Sequence, residues 1–170
     1  MKQKITFCIV IFIIIFLLYF HRKPLRYSSY NENIIVSPCD GTVTYSNGRN
    51  ISVFLSVFDV HVQYVPIKSK IIHIETVKKG IHNLAILPES SHNEGVKVIF
   101  RSKIGDIIVT QRVGFFVRRI RNSIKLNQIV ERSEPYGFIT FGSRVDIILP
   151  MNYNSNVKIG DKLTGGETLL

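Results

Sequence analysis

The 170-residue sequence has no tryptophan, two methionines and two cysteines. Cys8 lies in an apolar run and Cys39 in a turn-rich stretch, so neither a disulfide framework nor a cysteine metal site can be built from them. Two unpaired thiols fit a reducing compartment. Acidic residues are also scarce, 12 against 22 lysines and arginines, for a formal net charge of +10. Such an excess calls for an anionic partner, either nucleic acid or an acidic membrane surface. The sequence has no aromatic-basic motif of a nucleic-acid module, so no nucleic-acid partner is expected. It also lacks a repeat of solenoid length and, beyond the first 26 residues, any long helical period, which argues against repeat and helix-bundle folds.

What is present begins with an apolar run, Ile5–Phe20 (ITFCIVIFIIIFLLYF), free of charge and proline. At 16 residues it falls a little short of the roughly 20 that span a bilayer. Tyr19, His21 and the flanking Lys2, Lys4, Arg22, Lys23 and Arg26 extend it by snorkelling. The run ends in Leu-Leu-Tyr-Phe-His-Arg with no small-residue cleavage site, which favours an uncleaved anchor over a signal peptide. Three basic residues on its C-terminal flank against two on the N-terminal flank put the following domain on the cytoplasmic side. The expected organisation is an anchor with basic flanks over 1–26, a polar serine-bearing linker over 27–33 and one domain over 34–170.

That domain reads as mainly β, a sandwich or barrel of short strands. Strand patterns cover Thr42–Tyr45, Ile51–Val57, Val60–Val65, Lys70–Thr76, Val96–Phe100, Ile107–Val113, Phe138–Phe141, Val145–Leu149 and Val157–Ile159. Asn47-Gly48 between the first two is a hairpin signal. Phe115–Lys125 fits neither period, and Pro88–Glu94 has the composition of a loop.

Three places could carry chemistry. Gly142-Ser143 lies between two apolar runs. Glycine permits backbone angles that other residues resist, and the serine hydroxyl can reach its own upstream carbonyl; an ordinary turn carries the same two letters. Asp59-Val60-His61 reads as part of a strand in which carboxylate and imidazole share a face, the pairing a general base needs. His92, in the Pro88–Glu94 loop, is a second candidate base. Arg118-Arg119 offers guanidinium forks for phosphate or carboxylate, although a solvated basic face fits as well.

Taken in order, these segments resemble the small phosphatidylserine decarboxylase family, including its archaetidylserine decarboxylase-like members. Ser37-Pro38-Cys39-Asp40-Gly41 resembles the family's SPADG turn, and Phe54–Val62 (FLSVFDVHV) its FLSxFDVHV segment. Val113–Ile120 resembles AGxxARRI, and Ile139–Pro150 (ITFGSRVDIILP) is similar almost residue for residue to IRFGSRVDxYLP. Gly160–Thr168 resembles GDKVxAGET. The chain departs from the family in His61-Val62-Gln63-Tyr64, where HVNR is usual, and through Lys79–Gly95. The resemblance implies a proenzyme. Ser143 attacks the Gly142 carbonyl, the resulting ester eliminates, and residue 143 becomes a pyruvoyl group heading an α chain (143–170), with a β chain (1–142) as its partner. The resemblance further implies that this ketone captures the head-group amine of phosphatidylserine and draws off electrons as carbon dioxide leaves, giving phosphatidylethanolamine. The resemblance makes Asp59 and His61 the base and its orienter, Arg118 and Arg119 substrate contacts, and external cofactors and metals unnecessary. A homo-oligomer is left open. Rival readings are a decarboxylase of another amino-acid-headed lipid, such as archaetidylserine, and a non-catalytic membrane-tethered β module.

Overall fold

The computed structural model describes residues 2–27, 31, 33–78, 82–115, 119–140 and 143–170. Helix α1, Lys2–Phe20, is 19 residues long, about 28 Å at 1.5 Å per residue, close to the roughly 30 Å of a bilayer's hydrocarbon core. It is apolar on every side and exposes nearly all of that surface; of its side chains only Phe20 is buried. By length and composition it can cross a membrane.

The remainder is mainly β. In chain order the strands are β1 (Gly41–Ser46), β2 (Asn50–Leu55), β3 (Val62–Tyr64), β4 (Ser69–Val77), β5 (Gly95–Ser102), β6 (Gly105–Arg112), β7 (Ile120–Asn122), β8 (Ile129–Val130), β9 (Pro135–Ile139), β10 (Ser143–Ile148) and β11 (Lys162–Leu163). They form an eight-stranded sheet, β11-β1-β2-β10-β6-β5-β4-β8, and a three-stranded sheet, β3-β9-β7. The pairings between them are antiparallel. The β1–β2 hairpin turns at Asn47-Gly48, where Gly48 has φ +84° and the Asn47 side-chain oxygen accepts the N–H groups of Arg49 and Asn50.

Period-2 alternation sends one face of the large sheet inward: Ile51, Val53 and Leu55 from β2, Val98 and Phe100 from β5, Ile107 and Val109 from β6, Val145 and Ile147 from β10. The small sheet contributes Tyr136 and Ile139 to the same core, with the Phe100 and Tyr136 rings edge to face at 5.3 Å. Ser143 and Gln111 lie on this inward face, two residues before Val145 and two after Val109.

Some elements differ from the sequence reading. Val157–Ile159 is not a strand: Ser155 Oγ accepts the Val157 N–H and Asp161 Oδ2 the Lys158 N–H, so side chains satisfy a turn that a ladder would otherwise occupy. The strand expected over Val60–Val65 is confined to Val62–Tyr64, and that expected from Phe138 runs over Pro135–Ile139, with Phe141 outside the described residues. The unassigned Phe115–Lys125 stretch supplies β7, and Pro88–His92 closes a 3₁₀ turn within the expected loop. The residues after α1 pack onto the β domain. Arg22 donates to the Phe58 carbonyl at 2.7 Å, Tyr64 Oη donates to that of Pro24 at 2.8 Å, and Arg26 pairs with Asp40 and Glu167.

Candidate active site

Two crossings between the sheets build the site. The chain leaves the large sheet at Leu55, turns through Ser56–Asp59 and enters the small sheet at Val62. It returns from the small sheet at Ile139 and re-enters the large one at Ser143. The crossings run alongside each other. Val62 pairs with Phe138, the Ile139 N–H donates to the His61 carbonyl at 3.2 Å, and Ser143 pairs with Leu55. The described residues on either side of Gly142 are thereby fixed, Ile139 on the small sheet and Ser143 on the large one; Phe141 and Gly142 themselves lie outside the described residues.

Ser143 opens β10 and is fully buried, and its Oγ has no hydrogen-bond partner among the described residues. A buried hydroxyl without a partner carries an uncompensated desolvation cost, which structures keep where the group has other work. His61 is also fully buried. Its Nδ1 lies 2.9 Å from the Asp59 main-chain oxygen. A carbonyl only accepts, so Nδ1 carries the proton and Nε2 keeps the free lone pair; Nε2 is buried and without a partner among the described residues. Burial lowers the imidazole pKa to about 4, partly offset by the Asp59 carbonyl and charge. The ring of Phe20, from the end of α1, packs at 4.3 Å from that of His61.

Asp59 departs from the expected strand geometry. It lies in a turn, and its carboxylate reaches back to accept the Ser56 N–H at 2.7 Å. Asp59 therefore orients His61 through its backbone carbonyl, and its side chain fastens the turn.

Residues that the sequence reading treated as frame also converge here. Asp40, seen only as part of a turn, sits just before β1, beside β2; its Oδ1 accepts the Gly165 N–H at 2.8 Å and its carboxylate pairs with Arg26. Burial raises its pKa, against the pull of the Gly165 N–H and Arg26. Around Gly137 the side chains of Gln63, Gln111 and Asn122 meet. Asn122 Nδ2 donates to Gln111 Oε1 at 2.8 Å, leaving Gln63 Oε1, Gln111 Nε2 and Asn122 Oδ1 buried without partners among the described residues. A Cβ at position 137 would lie 2.4 Å from Asn122 Oδ1 and 2.6 Å from Gln111 Nε2, so glycine makes the room they occupy.

The opposite face of β10 carries a charged lattice. Arg144 Nε and Arg112 Nε donate to the two oxygens of Asp146, each at 2.6 Å. Arg144 also donates to Ser52 Oγ at 2.8 Å, Ser90 Oγ at 3.2 Å and the carbonyls of Leu87 and Pro88, while Arg112 donates to that of Asn93 at 2.9 Å. These bonds lash the 3₁₀ turn to the sheet behind Ser143. Asp146→Ala removes the carboxylate that two part-buried guanidiniums share and is expected to cost about 1.5–3 kcal/mol, the range for a hydrogen bond to a charged group, read as a lower urea midpoint in an uncut Ser143→Ala background. His92 is exposed on that turn, and its ring bonds stay within it, to the Glu89 carbonyl and Ser91 Oγ at 3.3 Å. No described contact joins it to Ser143 or His61.

In front of the crossings a groove of about 730 Å³ lies over the small sheet. His21 and Lys23 line it from the α1 side, Arg119 and Arg121 from the β7 side, and Phe138 and Thr140 from β9 and the crossing. Arg119 is exposed and its carbonyl accepts the Thr140 N–H at 3.1 Å; Arg118 lies outside the described residues. Among the described residues, His/Cys/Asp/Glu side chains form no cluster of three that could hold a metal ion.

The family pattern described as phosphatidylserine decarboxylase matches residues 13–170. A protein of Methanosarcina mazei, provisionally named an archaetidylserine decarboxylase proenzyme, is 36% identical over 168 residues, covering 99% of this chain and 76% of its own length. A phosphatidylserine decarboxylase proenzyme of Geotalea uraniireducens is 32% identical over 178 residues, covering 98% and 84%. That of Syntrophotalea carbinolica is 36% identical over 168 residues, covering 92% and 78%. No solved structure matches the chain.

Proposed function

The chain belongs to the phosphatidylserine decarboxylase family, whose members are carboxy-lyase proenzymes, and on that premise we propose that it cuts itself between Gly142 and Ser143 and then decarboxylates a serine-headed membrane phospholipid. The observation that carries this reading is that two buried atoms without partners among the described residues, Ser143 Oγ and His61 Nε2, belong to two crossings tied together by the Ile139–His61 hydrogen bond.

In the first step Ser143 Oγ attacks the Gly142 carbonyl carbon, and His61 Nε2 takes the hydroxyl proton. The peptide C–N bond breaks and its nitrogen leaves as the free amine of residue 143, so amide becomes ester. In the second, the Cα proton of residue 143 is removed and the Gly142 carboxylate departs, leaving dehydroalanine. Its imine tautomer takes up one water and releases one ammonia, and residue 143 becomes pyruvoyl. A neutral imidazole suits both proton removals, and its depressed pKa keeps it neutral down to acidic pH.

The residues present suit that group. It is made in place from a fully buried side chain with no competing hydrogen bond, beside the Gln63–Gln111–Asn122 amides with their unused donors and acceptors. The pyruvoyl ketone supplies an electron sink for the electrons released with carbon dioxide. Arg119, opening onto the groove, and Arg118 beside it in sequence hold the anionic head group. Helix α1 anchors the domain at the bilayer that presents the lipid.

Relatives carry both phosphatidylserine and archaetidylserine names. These lipids share the phosphoserine head group and differ in their hydrocarbon, so the residues named here serve either. Parallel assays in vesicles of each lipid decide between them. Intact mass tests the self-cleavage. Two chains split after Gly142, with one water gained and one ammonia lost in total, are expected. A single uncut chain in native membranes overturns the mechanism.

A further inference from the structure

The groove over the small sheet has a charge pattern that self-cleavage does not use. Three fixed cations, Lys23, Arg119 and Arg121, line it with His21, and no acidic side chain does. None of the three forms an ion pair among the described residues. Cations left unpaired around one concavity raise the local potential for an anion. The floor is apolar where Val62 and Phe138 line it, and the His21 ring stacks on Phe138 at 5.2 Å with 10° between planes. Arg121 is the cross-strand partner of Phe138, so its guanidinium starts from beside the same floor.

The groove adjoins the last turn of α1, whose Phe20 packs on Phe138 at 5.9 Å, and the outward surface of that helix is apolar. Thr140, the first residue of the crossing that leads to Ser143, also lines it. We infer that Lys23 and Arg121 are the phosphate seat for the bilayer phospholipid substrate. The diester sits between Lys23 and Arg121, the hydrocarbon runs back along α1, and the amino-acid end passes Thr140 toward residue 143. Arginine offers a fork that matches two phosphate oxygens, and lysine adds a point charge. This rests on the decarboxylase reading but adds a lipid path and two residues to it. Lys23 belongs to the segment after α1, so the anchor contributes to substrate recognition as well as to tethering.

The test uses full-length protein in vesicles and compares wild type with Lys23→Gln/Arg121→Gln and with the charge-preserving Lys23→Arg. Turnover is followed against the mole fraction of phosphatidylserine, and chain cleavage by intact mass. The double neutralisation is expected to leave cleavage complete and to raise KM at least about tenfold with kcat nearly unchanged, the signature of lost ground-state binding; Lys23→Arg keeps the wild-type KM. A second readout needs no turnover. In an uncut Ser143→Ala background, photo-crosslinking to a phosphatidylserine probe is expected to fall about tenfold in the double variant. Unchanged KM and crosslinking, or loss of self-cleavage in the double variant, overturn the phosphate seat. Competition by millimolar inorganic phosphate that disappears in the double variant supports the seat, and inhibition by phosphate that is the same in wild type and double variant counts against it. An uncut wild type whose crosslinking still depends on Lys23 and Arg121 overturns the decarboxylase reading and leaves the lipid seat standing.

Discussion

Ser143→Ala is expected to accumulate as one uncut chain with no measurable decarboxylation. The hydroxyl is the proposed nucleophile and its carbon skeleton the source of the pyruvoyl group, so alanine removes the first step and the cofactor together. The same substitution should barely touch the fold. Ser143 Oγ is buried without a partner among the described residues, and deleting an unsatisfied buried polar atom is neutral or stabilising. A cooperative thermal transition with a midpoint at or above that of the slowly cutting His61→Gln chain, alongside zero turnover, places the loss in chemistry. Cleavage in the alanine variant, or an unfolded variant, would refute this account.

The second large effect belongs to His61. His61→Gln keeps a polar side chain of similar reach without a basic nitrogen, and self-cleavage is expected to slow by about a hundred- to ten-thousand-fold, the usual worth of a positioned general base. The pH dependence follows from burial. The imidazole pKa is lowered from 6.5 to about 4 in the folded chain, so self-cleavage is expected to hold level down to about pH 5 and fall as pH passes through 4. Stability has the same sign. Between pH 6.5 and 4 the unfolded chain binds a proton that the folded one refuses, so stability is full above the unfolded pKa and is lost as pH falls toward the folded one. The shift corresponds to about 3 kcal/mol below pH 4. Urea titrations of the uncut Ser143→Ala chain, with and without His61→Gln, should diverge in that window, with the glutamine form losing less. Parallel curves would refute a buried neutral histidine.

Local chemistry made much of the fold legible. Asn47-Gly48 marked its hairpin, and the alternation in Ile51–Leu55 and Val145–Ile147 marked strands with one inward face. The Gly-Ser pair between apolar runs marked the crossing into β10 and, through the family resemblance, its candidate nucleophile. What the sequence hid is long-range. Arg144 and Asp146 looked like motif letters, yet they meet Ser52 and Arg112 only because β10 lies between β2 and β6. Asp59 read as strand because Phe58 and Val60 are apolar, and the Ser56 N–H drew its carboxylate into a turn instead. Phe20 read as the last apolar residue of an anchor; its burial against His61 depends on the route of residues 20–26 across the domain. Lys23 and Arg121, about a hundred residues apart, carry no shared period that would announce a common groove.

The place of β10 in the large sheet has a kinetic consequence for the proposed cut form. Strand β10 is hydrogen-bonded on both sides, to β2 and to β6, and the same 28-residue fragment supplies the edge strand β11. A cut after Gly142 therefore leaves two chains that share one hydrophobic core. Folding must precede cutting, because only the continuous chain brings β10 into register by a unimolecular search. Once cut and unfolded, the two fragments can recover the sheet only by finding each other, so refolding changes from first to second order and recovery on dilution falls with protein concentration. The uncut chain is expected to refold with a yield that does not depend on its concentration, whereas the two chains of the proposed cut form should recover the sheet less well the more dilute they are.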